Sequence, residues 1–165
     1  SLVVQGFRNI VILLGHGGTE NTQAAKDAAE NFQRLSPDME GITVSVVPFW
    51  ELSPTYMKSF EERDYHAGLY ETSMMLYWKP ELVKMEAAAM DSRDIVDMMR
   101  NDPDAYVVRT KGLDHDHVIA KMTQHKEIQV GVMGDLTGAN PELGGKIAEE
   151  CSSALAAFVE RLEAR

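Results

Sequence analysis

The sequence predicts an α/β fold, a three-layer α/β/α sandwich with a mostly parallel sheet, as a single domain over residues 1–165. Three observations carry that expectation. Asn9 to Leu14 is an unbroken apolar run that stops at a glycine-rich turn. A helical pattern follows it directly, which makes one half of a βαβ unit. Further strand-like and helical stretches then continue to the C-terminus, where one long amphipathic pattern ends the chain. At 165 residues the chain is long enough to bury roughly 70% of its unfolded surface.

The first run, Asn-Ile-Val-Ile-Leu-Leu, lies between Gly6 and Gly15. Its short length and β-branched content fit a strand buried on both faces, as in a parallel sheet. It ends in Gly15-His16-Gly17-Gly18-Thr19, at the carboxyl end of the strand, where open α/β sheets place ligands. The turn is not a Walker loop, because Thr19 rather than Lys follows the last Gly, and it lacks the dinucleotide fingerprint. It does offer an imidazole flanked by glycines. Metal ligand, catalytic base and polar turn residue all stay open for His16. Ala24, Ala25, Ala28, Ala29, Phe32 and Leu35 then share one helical face, with Thr19 or Asn21 as the cap.

Ile42 to Trp50 reads as a second strand with Pro48 near its end. Phe49 and Trp50 emerge at its terminus, with packing favoured over a pocket wall. Glu51 to Asp64, carrying Pro54, is a loop or broken helix. Thr72 to Trp78 is helical and is stopped by Lys79-Pro80, with its methionines and aromatics assigned to the core. Asp94 to Arg100 is a short apolar-spaced stretch ending at Asn101-Asp102-Pro103. In an extended strand His115 and His117 would point to one side and suit a metal. Gly112 and the alternating acids favour a solvated loop instead. Glu127 to Met133 alternates cleanly and reads as a strand. Gly134 to Ala139 turns the chain, Asn140 caps and Pro141 takes the first helical position. Leu143, Ile147, Cys151, Leu155, Phe158 and Leu162 then form one stripe, which makes Cys151 a packing residue rather than a nucleophile.

Between these elements lies Asp64-Tyr65-His66-Ala67-Gly68-Leu69-Tyr70-Glu71-Thr72-Ser73. Five helical residues turn through about 500°, which leaves His66 and Glu71 about 140° apart, so they share no helical face. The glycine places His66 on the loop or first turn leading in and Glu71 on the helix proper. From these residues alone, two side chains aimed into one pocket compete with a loop His followed by a helix-start Glu.

Composition excludes several functions. A formal net charge of −10 opposes a nucleic-acid or anionic-membrane partner, which would need Lys/Arg clusters. No apolar run approaches the ~20 residues of a membrane span. The single cysteine rules out an internal disulfide and fits the cytoplasm.

Three stretches in order resemble the creatininase (creatinine amidohydrolase) family. They are Gly6 to Gly18, the His66-Ala67-Gly68-x-x-Glu71-Thr72-Ser73 motif, and Gly131-Val132-Met133-Gly134-Asp135 leading to the last helix. The resemblance implies a metal-dependent hydrolase acting on a cyclic amide or related C–N, C–C or ester-type bond of a small molecule. It implies two divalent ions per complete site, Zn, Mn or Fe. His16 matches a metal-binding His, His66 the His that passes protons to the leaving nitrogen, and Glu71 is assigned as a metal ligand. The family's Asn-Gly-His-Gly-Gly-Asn reads Leu14 and Thr19 at its ends here. Creatininase carries an acidic ligand where this chain has Gly18, which leaves Glu71, with Glu20 as the alternative, to supply the carboxylate. The family's N-terminal Glu-x-His pair and the Asp after it have no counterpart. The chain resembles the C-terminal two-thirds of the family domain, and a second chain carrying those ligands, in an oligomer, is the expected partner. A non-catalytic binding or assembly subunit is the alternative.

Overall fold

The computed structural model describes residues 2–36, 38 and 40–165. The chain divides into two compact units, one formed by residues 1–57 and 146–165, the other by residues 58–145. Mixed helix and strand content with a parallel strand pair makes the fold α/β.

In the first unit, β1 (Asn9–Leu14) and β2 (Thr43–Pro48) pair in parallel, from Asn9 opposite Thr43 to Leu14 opposite Pro48. Helix α1 (Thr19–Leu35) connects them, as a parallel pair requires. The cap differs from expectation. Gly18 is the N-cap and no side chain caps it, while the Asn21 amide donates to the His16 carbonyl at 3.2 Å. Burial also differs. On α1 only Ala29 is buried and Leu35 is exposed. Leu13 of β1 is 49% exposed and Asn9 to Ile12 are half-buried, with Leu14 alone buried, because β2 is its only strand partner among the described residues.

The strand expected to reach Trp50 stops at Pro48. Phe49–Leu52 tightens into a 3-10 turn, with the Phe49 ring edge-on to Trp50 at 5.7 Å and to Tyr56 at 4.7 Å. Trp50 is buried, as a packing residue should be. Helix α2 (Pro54–Glu62) follows. Helix α5 (Pro141–Glu163) is the long amphipathic helix expected, with Ile147 fully covered and Leu162 buried. Its Glu150 carboxylate accepts from the Ser53 hydroxyl at 2.6 Å, the Thr55 hydroxyl at 2.7 Å and the Thr55 N–H at 3.0 Å. Burial alone would raise this carboxyl's pKa, but those donors and Lys146 hold it below the usual range. Cys151 lies on the stripe with Sγ 3.4 Å from the Phe49 carbonyl. Burial, then the Glu150 charge, raises its thiol pKa, which suits packing rather than nucleophilic attack.

The second unit contains α3 (Leu69–Trp78), α4 (Arg93–Asn101) and an antiparallel hairpin of β3 (Val107–Thr110) and β4 (Lys121–Gln124). Its core is Ile95, Met99 and Met133, with Tyr106 and Ile128 against it. The hairpin goes beyond the sequence expectation, and His115 and His117 lie in the loop joining its strands, rings 4.9 Å apart. On α3 the core assignment holds for Met74, and Tyr70, outside that stretch, is buried as well. Met75, Tyr77 and Trp78 are exposed instead, because the buried face of this helix also takes Thr72 and Ser73.

Residues 127–133 form no strand. The reason is local. The Asp91 carboxylate accepts the N–H groups of Gln129 at 2.8 Å, Val130 at 3.2 Å and Gly131 at 2.6 Å, so these donors are taken before a ladder can use them. Gly131 has φ +89°, which turns the chain out of extended geometry. Burial works against the charge on Asp91, but the three N–H groups outweigh it and lower the pKa. Among the described residues no helix is long and apolar enough to cross a membrane.

Candidate functional site

His16 belongs to the first unit, at the tip of β1, and is exposed. The turn around it is open. A Cβ at Gly15 would meet nothing within 4 Å, and one at Gly17 would only reach the Trp50 ring at 4.0 Å. These glycines are therefore not forced by crowding, and their bareness leaves room for a ligand beside the imidazole. Glu20, in the first turn of α1, is half-buried in the same unit.

His66 and Glu71 belong to the second unit, where the chain is held quite differently. Arg63, His66 and Ala67 have φ of +55°, +60° and +55°, in the left-handed region that side-chain-bearing residues avoid. Each such residue costs about 1–3 kcal/mol and persists only where the surroundings over-determine it. Here they do. The His66 carbonyl accepts the N–H groups of Met133 and Gly134, both at 3.0 Å. The Ala67 N–H donates to Glu71 Oε2 at 2.7 Å, and the Ala67 carbonyl accepts from the Thr72 hydroxyl at 3.0 Å. The His66 ring stands edge-on to Tyr106, centroids 5.5 Å apart. Ser73, fully buried, accepts the Asn140 N–H at 3.0 Å.

His66 lies on the entering loop and Glu71 on the helix, as expected, with Glu71 in the first turn of α3. Glu71 turns back on the loop and satisfies a backbone donor next to His66. The Thr72 and Ser73 hydroxyls of the same motif do comparable work.

Sequence reasoning passed over Asp64. Its Oδ1 accepts the Asp135 N–H at 2.9 Å, while Oδ2 is buried with no well-aligned hydrogen bond. Burial raises its pKa, opposed by the N–H groups of Asp135, Tyr70 and Leu69 and reinforced by the Glu71 charge. Beside it opens a cavity of about 200 Å³ bordered by Arg63, Arg100, Asp135 and Thr137. The Thr137 N–H and hydroxyl hold Asp135 below the usual carboxyl range, with help from Arg100. Tyr70 donates to Glu62 at 2.9 Å, and burial plus that bond push its pKa up to about 12. The one sequence signal for Asp64 was an acid two positions before the motif His, which by itself distinguishes nothing.

His16 and Glu71 are ligand types that divalent ions take, yet a complete site needs three or four protein ligands. Among the described residues no three His, Cys, Asp or Glu side chains are grouped to hold a metal ion. His16 in the first unit and Glu71 in the second each supply one ligand type and not a complete site.

The family model described as creatinine amidohydrolase matches residues 1–159. Among solved structures, a creatinine amidohydrolase (creatininase) superimposes with TM-score 0.63 at 20% identity, over 97% of this chain and 58% of the other. A putative creatinine amidohydrolase from Bacteroides fragilis gives TM-score 0.58 at 22% identity, over 98% and 56%. A structure titled as the Mn form of creatininase gives 0.60 at 20%, over 97% and 58%. The chain thus spans less than two-thirds of the length of the structures it matches. No curated protein matches it.

Proposed function

The chain belongs to the creatininase family, and from that premise we propose that it forms the proton-transfer half of a metal-dependent amidohydrolase acting on a small molecule. The substrate class is a cyclic amide or a related C–N, C–C or ester-type bond, with creatinine itself the first compound to try. The observation that carries this reading is the His66 loop, a left-handed stretch fixed on both sides of an imidazole that stands half-buried against Tyr106.

Cleaving a cyclic amide turns a poor leaving nitrogen into an amine, so a proton must reach that nitrogen as the bond breaks. An imidazole is suited to give it near neutral pH. We assign that proton to His66. His16 is assigned as an imidazole ligand for a divalent ion and Glu71 as a carboxylate ligand. Zn, Mn or Fe ions, two per complete site, supply Lewis acidity and a nucleophile at neutral pH when bound. The remaining ligands are assigned to residues outside those described, on a Glu-x-His and Asp segment or a second chain in an oligomer.

One observation favours a second reading of Glu71. Its Oε2 already holds the Ala67 N–H, so its work can be to position the loop rather than to bind metal. A second reading of the whole chain, a non-catalytic binding or assembly subunit, is favoured by Gly18 standing where the related enzyme has an acid.

The test is an assay of creatinine and a panel of cyclic amides, with the chain supplemented by Mn²⁺ or Zn²⁺ and by the segment bearing Glu-x-His. His66→Ala should lower kcat by ~10²–10⁴-fold, the usual contribution of a general acid–base group, with metal content unchanged. Loss of metal in that variant would make His66 a ligand. Absence of turnover on the whole panel, with metal bound, would favour the assembly subunit.

A further inference from the structure

We infer that Asp64 is a positioning residue for His66, a spacer and hydrogen-bond acceptor that locks the His66 loop onto the 131–135 segment. The inference rests on the reading above only for what His66 does. The placement itself stands on geometry within the second unit.

Two glycines meet at Asp64. A Cβ on Gly68 would overlap the Asp64 carboxylate. A Cβ on Gly134 would overlap that carboxylate and the Gly68 backbone. The carboxylate thus fills the space where two backbones come together. Oδ1 takes the Asp135 N–H at 2.9 Å, one residue beyond the Gly134 N–H that goes to the His66 carbonyl at 3.0 Å. Asp64 is itself fixed by its own N–H, which donates to the Ser59 carbonyl at 2.8 Å. Ser59 is 2% exposed, so this anchor is rigid.

The consequence reaches His66 through two residues of chain. With Asp64 and the 133–135 backbone joined, the segment between has little choice of conformation, and His66 and Ala67 take left-handed φ. Without the carboxylate, the Asp135 N–H loses its acceptor and a void opens between the glycines. The loop can then relax toward ordinary φ, and the His66 ring leaves the edge of Tyr106. The role needs an acceptor of this shape and does not need its charge.

Selective ¹³C labelling of the histidine rings tests this by NMR on the full chain, with the His66 signal assigned from His66→Gln. In the wild type that signal should be displaced by the Tyr106 ring from the positions of exposed His115 and His117. Asp64→Ala should move it to the exposed position while His16 stays in place. Asp64→Asn, which keeps an acceptor oxygen, should retain at least half of the wild-type displacement. An unmoved His66 signal in Asp64→Ala overturns the inference, and so does an Asn variant that behaves like Ala. Should Asp64→Ala not give a folded spectrum, Asp64→Ser is measured in its place, with the same expected and overturning outcomes. The readout uses no substrate, so it stands or falls separately from the hydrolase reading.

Discussion

His16 and His66 both sit among glycines, but the two settings are built differently. Around His16, Gly15 faces open space and Gly17 meets only the Trp50 ring, no side chain caps the following helix, and the imidazole is exposed. Around His66 the glycine at position 68 is pressed against a carboxylate, the backbone is held in left-handed conformations, and the ring is seated on Tyr106. A metal ligand can wait in an open turn, since the ion orders it on binding. A proton donor must already point at its target, because a misplacement of about 1 Å can cost 10²-fold in rate. The contrast fits the roles proposed above, metal ligand for His16 and proton donor for His66, although both are histidine.

Substitution at the glycines should break the contrast most visibly. Gly68→Ala drives a methyl into the Asp64 carboxylate and should destabilise the fold by about 1–3 kcal/mol, the range for overpacking. Gly15→Ala meets nothing and should stay within about 0.5 kcal/mol of wild type. Urea unfolding of the pair measures the difference, and equal values would remove the packing argument.

A smaller effect is expected at Glu71. Glu71→Ala leaves the Ala67 N–H without its acceptor and should cost about 1 kcal/mol, whereas Glu71→Gln keeps an oxygen there and should cost little. Metal content of Glu71→Gln sharpens the result. Normal stability with lost metal makes Glu71 a ligand, and normal values of both make it a positioning residue.

The smallest effect is on pH dependence. The folded-state pKa of Asp64 is raised by burial, so the native state holds this proton more tightly than the unfolded chain. Its contribution is fully present below the unfolded carboxyl value of about 3.9 and is lost as pH rises through the folded value. Asp64→Asn should remove that downward limb from a plot of Tm against pH. A plot unchanged above pH 4 would mean that the carboxyl is not desolvated.

Much of the first unit was legible in the sequence because its elements are periodic. Asn9 to Leu14 and the helix after it form where hydrophobic spacing puts them, and in the second unit Pro141 with its Asn140 cap follows capping chemistry. The second unit was harder to read, because distant residues decide its local structure. Glu127 to Met133 has a strand pattern and is overruled by Asp91, about forty positions earlier. Trp78 is hydrophobic and exposed because Thr72 and Ser73 take the buried side of its helix. The motif made His66 and Glu71 visible, but it gave no sign that Asp64 fills the gap between Gly68 and Gly134. That relation exists only once the 131–135 segment has folded back.

The Asp91 carboxylate has a consequence in the time domain. Its three acceptor contacts should slow solvent exchange of the Gln129, Val130 and Gly131 amides as effectively as a strand would, in a segment that has no strand. An exchange map would therefore show protection there without sheet structure. Because one carboxylate serves all three amides, acid that protonates Asp91 should release them together rather than one by one.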